Sequence, residues 1–170
     1  MPSAQLILGG ARSGKSRRAL SLAEELGAKR VFIATAEAFD EEMATRIARH
    51  KDERGVGWTT HEAPLDLVET LKKIGEESDV CLVDCLTLWL SNLMHHEHDV
   101  ESETARLCAT ISAFPVPIIL VSNELGLGLV PETALGRAFR DAQGRLNQAV
   151  AASCERVEFV AAGLPLILKG

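Results

Sequence analysis

The sequence predicts an α/β domain: a mostly parallel β-sheet covered by helices on both faces, with one antiparallel strand at its C-terminal edge. Three observations carry this. Short, continuously apolar runs recur along the chain, the pattern of strands buried on both faces. Segments of helical period separate them, which gives parallel crossovers. The last two apolar runs are joined by only a few residues, too few for a parallel crossover, so the final strand runs antiparallel.

Taken in order, residues 5–8 form a first buried strand, and residues 15–26 a helix that Gly27 ends. A second strand spans 30–35. Asp40 caps a helix that runs to about Asp52. Residues 58–62 form a short strand, and Pro64 opens a helix reaching Ile74, with Gly75 after it. Residues 80–84 are a strong strand, 87–93 a helix and 95–99 a polar loop. A helix at 101–113 precedes a strand at 117–122 and a Gly-rich loop at 124–131. A long helix at 133–154, a strand at 156–161, a turn at Ala162-Gly163 and a strand at 164–169 complete the chain. There are no repeats or linkers, and the 170 residues read as one domain.

The composition is that of an ordinary globular protein, 46% hydrophobic and 25% charged, which sets aside disorder and coiled coil. No apolar run suggests a membrane span. The amino-terminal stretch lacks the basic region of a signal peptide, which places the expected setting in the cytoplasm. A net charge of −6 and 4% aromatic residues argue against a nucleic-acid partner, which would want a basic surface and stacking platforms. Basic residues nevertheless crowd the first third, from Arg12 to Arg54, where they suit an anionic small molecule. The spacings of Cys81, Cys85, Cys108 and Cys154 fit neither a zinc site nor a disulfide scaffold, so buried free thiols are expected. His95, His96 and His98 read as a solvated loop rather than a metal site.

The strongest motif is Gly9-Gly10-Ala11-Arg12-Ser13-Gly14-Lys15-Ser16, which fits G-x-x-x-x-G-K-[ST] between a strand and a helix. Its glycines let the backbone curl so that N–H groups converge on phosphate oxygens, and the helix start adds a positive dipole end. Lys15 is expected to reach the outer phosphates and Ser16 to ligate Mg²⁺. Asp84 closes the apolar run Val80-Cys81-Leu82-Val83 and is the acidic residue expected on a neighbouring strand to complete the Mg²⁺ site. Asn123, Glu124 and the Gly126/Gly128 loop follow another strand and are expected near the substrate or Mg²⁺. No N-K-x-D element is present, which disfavours a switch GTPase. A kinase, or a non-catalytic nucleotide-sensing module, fits the motifs alone.

A second segment, Asp40 to Arg54, places Met43, Ile47, His50 and Arg54 on one helical face. His50 lies near the helix end beside Arg46, Lys51 and Arg54. It is either a favourable helix-terminal charge or a nucleophilic imidazole among phosphate-holding cations.

Together GGARSGKS, RIARHKDER, WTTHEAP, LVDCLTLWLSNL, VSNELGLGLVPE and FRDAQGRLNQ resemble, in order and along nearly the whole chain, the bifunctional adenosylcobinamide kinase/adenosylcobinamide-phosphate guanylyltransferases of cobalamin synthesis. The resemblance implies a P-loop NTPase-like (RecA-like) three-layer sandwich. It implies phosphorylation of adenosylcobinamide by ATP or GTP, followed by transfer of GMP from GTP through a covalent GMP–histidine. The family's motif position for that histidine is His50. It further implies nucleotide contacts at Ala34, Thr35, Ala36, Lys51, Asp52, Glu53, Arg54, Glu62 and Asp84, and a homotrimer. An exposed apolar face on residues 86–93 would suit the subunit contact. A kinase alone, with His50 structural, is the alternative.

Overall fold

The computed structural model describes residues 3–170. Met1 and Pro2, which belong to the amino-terminal stretch discussed above, lie outside it. Seven strands form one sheet: β1 (Ala4–Gly9), β2 (Arg30–Ala34), β3 (Trp58–Glu62), β4 (Val80–Asp84), β5 (Ile118–Asn123), β6 (Arg156–Ala161) and β7 (Leu164–Lys169). Their spatial order is β3-β2-β4-β5-β1-β6-β7. The first five pairings are parallel and only β6–β7 is antiparallel, as the short connection requires.

Side chains alternate across the sheet. Leu6, Ile33, Val83 and Leu120 enter one core, and Ile7, Phe32, Leu82 and Val121 the other. This explains why the strands read as unbroken apolar runs: both faces are dry. The first core is covered by α3 (Leu67–Ile74), α4 (Leu86–His95), α5 (Val100–Ser112) and α6 (Ala134–Ser153). The second is covered by α1 (Lys15–Leu26) through Ala19 and Ala23, small residues that let the helix lie close to the sheet. The remaining helix, α2 (Glu41–Glu53), buries no residue at all.

Two local expectations change. The helix expected from Pro64 begins at Leu67. The reason lies in the preceding carbonyls: Pro64 accepts from Asn92 Nδ2 at 2.9 Å and Leu65 from the Trp89 indole at 3.2 Å, while Ala63 N–H continues the ladder to Ala34. The apolar helix at 86–93 does not offer a free face. Leu86, Trp89, Leu90 and Leu93 are completely buried in the chain's own core, and only Leu88 stands out. The exposed apolar face expected for a subunit contact is therefore taken up by the chain's own core.

A buried ion pair fixes α1 against the sheet. The Glu158 carboxylate on β6 is 0% exposed and takes both Arg18 Nε at 2.8 Å and Arg18 Nη2 at 3.0 Å, with Arg156 Nε at 3.0 Å. The Arg18 bond, helped by Arg156, holds this carboxyl below the ordinary glutamate range against the opposing effect of burial. Its stabilisation is thus complete above that range and is lost as pH falls through it. Glu158→Gln should lower stability by about 2–4 kcal/mol at neutral pH, because two cations lose their counter-charge. In chemical denaturation the deficit relative to the parent should shrink as the pH is lowered below about 4.

Candidate functional site

The C-terminal edge of the sheet gathers the sequence motifs. Register brings Glu62 and Asp84 to either side of Ala34, and Asn123 and Val160 to either side of Gly9. After β1 the chain turns to α1 on one face. After its neighbour β5 it turns to α6 on the other. Connections that leave adjacent strands in opposite directions open a crevice, the place where open parallel sheets bind ligands.

The loop from Gly9 to Ser16 lies at that crevice. A Cβ at Gly9 would collide with Ser13 Oγ and stand 2.8 Å from the Val160 carbonyl. Gly14 has φ of 95°, a left-handed conformation that favours glycine, and a Cβ there would lie 3.1 Å from Gly163 Cα. Arg12 also adopts positive φ, at 54°. Gly163 N–H donates to Ser13 O at 2.7 Å, so the β6–β7 turn braces the loop. Lys15 Nζ folds back to Gly10 O at 3.0 Å, crossing the loop's mouth. Gly10 has no neighbour where its Cβ would be, and Ala11 and Arg12 are exposed.

Asp84 was expected on a strand next to β1, but β5 lies between them. The Ser16 hydroxyl is nevertheless close enough to favour its ionised form. Burial pushes the Asp84 carboxyl up, opposed by Ser16 and by the charges of Lys15, His50 and Arg54. A hydroxyl and a neighbouring half-buried carboxylate are hard oxygen donors, and the pair fits a Mg²⁺ ion. Beyond Asp84, the Asp84–Cys85 peptide is cis.

Thr35 and Ala36 follow β2. Thr35 is fully buried, and its hydroxyl donates to Cys85 O at 2.6 Å and accepts from Cys85 N at 2.9 Å. Asn92 Nδ2 reaches Thr35 O at 2.8 Å as well as Pro64 O. The Thr35 side chain is thus a clamp between the ends of β2 and β4. Ala36 is the more accessible neighbour. Glu62 is exposed at the end of β3.

Helix α2 rises from this edge. Asp40 caps it as expected, its carboxylate accepting from Met43 N–H at 2.7 Å. His50 has a side chain 64% exposed, and its Nδ1 is 3.6 Å from Glu53 Oε2. Glu53 also takes Arg49 Nε at 2.8 Å. Lys51 and Asp52 are exposed. Arg54, expected among the phosphate-steadying cations, is packed against the sheet in this structure. Its guanidinium lies 3.6 Å from the centre of the Phe32 ring, and Nη2 donates to Thr60 Oγ1 at 2.8 Å. Its Nε is buried without a partner, and burial lowers its pKa. Arg54 therefore moors the end of α2 to β2 and β3 by stacking and one hydrogen bond.

Other groups are positioned by contacts that local sequence does not advertise. Asn123 N–H donates to Thr87 Oγ1 at 2.9 Å, and its carbonyl accepts from Asn147 Nδ2 at 3.0 Å. Ser122, Gln143 and Asn147 form a buried triangle of 2.6–2.9 Å hydrogen bonds joining β5 to α6. Two polar side chains four residues apart on the inner face of a helix were the available signal. His96 Nε2 stands 3.3 Å from both Glu37 oxygens, and His95 packs edge-on against Phe39. All four cysteines are unpaired. Burial raises Cys81, Cys85 (to about 11) and Cys154 (to about 12), so these are packed thiols rather than nucleophiles.

The model of the family described as cobinamide kinase / cobinamide phosphate guanyltransferase matches residues 5–168. The chain belongs to this family. A Pseudomonas aeruginosa relative, bifunctional adenosylcobalamin biosynthesis protein CobP, is 51% identical across 97% of this chain and 96% of its own length. The CobU protein of Salmonella typhimurium, with the same bifunctional description, is 36% identical across 96% of this chain and 98% of its own. Among solved structures, a KaiC-like protein of Pyrococcus horikoshii superposes with a TM-score of 0.52 at 15% identity, covering 92% of this chain and 71% of that one. The P4 protein of bacteriophage phi6, solved with ADP, gives 0.50 at 15% identity over 97% and 54%. These two likenesses establish the P-loop NTPase fold expected from the motifs.

Within this family fold, the tightest backbone contact at the phosphate loop is at Gly9. Gly9→Ala should cost about 1–3 kcal/mol of stability, since the new methyl has no room. Binding of a fluorescent ATP analogue, followed by titration, should weaken by about tenfold or more because Ser13 and the loop that carries it must shift.

Proposed function

We propose that this chain catalyses two successive transfers in adenosylcobalamin biosynthesis. In the first, the hydroxyl of the aminopropanol arm of adenosylcobinamide attacks the γ-phosphorus of ATP or GTP, and the nucleoside diphosphate leaves. In the second, GMP passes from GTP to the new phosphate by way of His50. The family match and the near full-length bifunctional relatives support both activities. One observation supports the role of His50: its imidazole is exposed, on a helix that buries no residue and follows β2 from the edge of the sheet where the phosphate loop lies.

The loop's N–H groups and Lys15 bind the phosphates, and the α1 N-terminus adds its dipole. Lys15 must leave Gly10 O to reach a bound phosphate. Ser16 and Asp84 are the residues that would hold Mg²⁺, which when bound neutralises charge on the β- and γ-phosphates. Glu53 Oε2, 3.6 Å from Nδ1, must move closer to hold that nitrogen's proton and leave Nε2 free to attack. Attack on the α-phosphorus forms a P–N bond, breaks the bond to the β-phosphate oxygen and releases pyrophosphate. The phosphate oxygen of the cobinamide phosphate then attacks the same phosphorus, and the P–N bond breaks. The intermediate divides a difficult transfer into two displacements.

Gly9, Gly10, Ala11, Arg12, Ser13, Gly14, Lys15 and Ser16 are assigned to nucleotide binding, with backbone contacts from Ala34, Thr35 and Ala36. The α2 residues Lys51, Asp52, Glu53 and Arg54, together with Glu62, would close over the nucleotide. A cytoplasmic homotrimer without a nucleic-acid partner completes the reading. With the α4 face buried, the exposed apolar row Leu164, Leu166, Ile167 and Leu168 on β7 supports an assembly through that edge.

Incubation with Mg²⁺ and α-labelled GTP should place label on the protein, stable to alkali and lost in acid. Peptide mapping should find it on His50. His50→Ala should abolish labelling while cobinamide phosphorylation by ATP stays within about threefold of the parent, an estimate resting on separate use of the phosphate loop. Phosphorylation without any covalent label would reduce the protein to a kinase. Nucleotide binding without turnover would make it a sensor.

A further inference from the structure

Residues 124–133, between β5 and α6, leave the C-terminal edge of the sheet beside the phosphate loop. This segment is firmly anchored. Glu124 N–H donates to Gly9 O at 3.0 Å, joining its root to the phosphate loop's first residue. Asn123 is held by Thr87 and Asn147. At the far end, Arg137 Nη1 donates to Pro131 O at 2.9 Å and Glu132 O at 3.1 Å, and Thr133 caps α6. Between these anchors the chain turns large apolar side chains to water: Leu127 is 83% exposed, Leu129 97% and Val130 68%, with Leu135 at 73% just beyond. Fixed ends with an uncovered apolar middle are the reverse of an ordinary solvent loop, and such a patch marks a binding surface.

We infer that Leu127, Leu129 and Val130 form the platform on which the corrinoid ring rests while its aminopropanol arm enters the crevice. The inference rests on the function proposed above and names the part of the site that would recognise its substrate. A corrin macrocycle is too broad to enter the crevice with its arm, so it must lie on the rim. Around the cobalt and its axial ligands the macrocycle is conjugated and methyl-substituted, with amides on its arms, so its apolar rim suits an apolar support. On the α2 side Lys51, Asp52 and Glu62 are exposed, and the large apolar residue exposed just before α2, Phe39, packs against His95. The segment at 127–130 supplies three exposed apolar side chains, on a root that Glu124 ties to the first residue of the phosphate loop. Gly126 and Gly128 flank Leu127, and nothing lies within 4 Å of where a Cβ of Gly128 would be, so the backbone there is open to a flat ligand.

The double variant Leu127→Ser/Leu129→Ser tests this, since neither side chain supports the core. With cobinamide as substrate, KM should rise at least tenfold. The kcat, the KM for GTP and the labelling of His50 should stay within twofold, and the mass by light scattering should match the parent. Leu127→Ile/Leu129→Ile, which keeps the apolar surface, should restore the KM for cobinamide. An unchanged KM for cobinamide in the serine variant overturns the platform. So does a changed mass accompanied by loss of both activities, which would make the segment a contact with a second copy. A parent protein that neither binds nor phosphorylates cobinamide would overturn the proposed function itself, and the platform with it.

Discussion

The close packing of backbone around Gly9 is the constraint on which the rest of the site depends. At this residue β1 lies between β5 and β6, the chain turns into the phosphate loop, and the Val160 carbonyl and Ser13 side chain leave no room for a methyl group. The elements that press on this point are themselves fixed from a distance. Arg18 draws α1 down onto Glu158 of β6, and the turn after β6 braces Ser13 through Gly163. Nucleotide-binding geometry is thus set by a carboxylate with no direct part in it. A buried, doubly bonded pair of this kind fixes one arrangement more than it adds to net stability.

Against this rigid half stands α2. It has helix-forming sequence, a capping aspartate and an acidic first turn, so it forms locally. It does not acquire a core. Arg54 over Phe32, with its bond to Thr60, is its main attachment to the sheet beyond chain connectivity. The position of His50 is therefore set by weak contacts at the helix end, whereas Lys15, Ser16 and Asp84 are set by the sheet. A group proposed to take GMP from GTP and then yield it to a second substrate is well served by such a weakly moored support.

Much of this was legible in the sequence because it is local. Buried strands declare themselves by apolar runs, and the phosphate loop by glycines that no other residue can replace in that turn. Strand order is not local, so β5 between β1 and β4 could not be read, and Asp84 was assigned to a neighbouring strand. Pro64 looked like a helix start because nothing nearby shows that Asn92 and Trp89 will use the carbonyls at 64 and 65. Residues 86–93 looked like a docking face because apolar composition does not say whether the cover comes from the same chain. Arg54 read as one cation among several, since its stacking partner lies 22 positions earlier in the sequence.

The triangle of Ser122, Gln143 and Asn147 limits how this protein can vary. Each member hydrogen-bonds the other two away from water, with only Gln143 Oε1 left over, and Asn147 also serves Asn123 at the crevice edge. Replacing one of the three strands a polar partner in the interior, at a cost of about 1–3 kcal/mol for each unsatisfied group. Replacing all three with apolar residues of similar shape could restore the balance, yet would still release the Asn123 carbonyl. Descendants of this sequence are therefore held to the present trio by the poor fitness of the intermediate steps. That trap lies between β5 and α6, one layer behind the reacting groups.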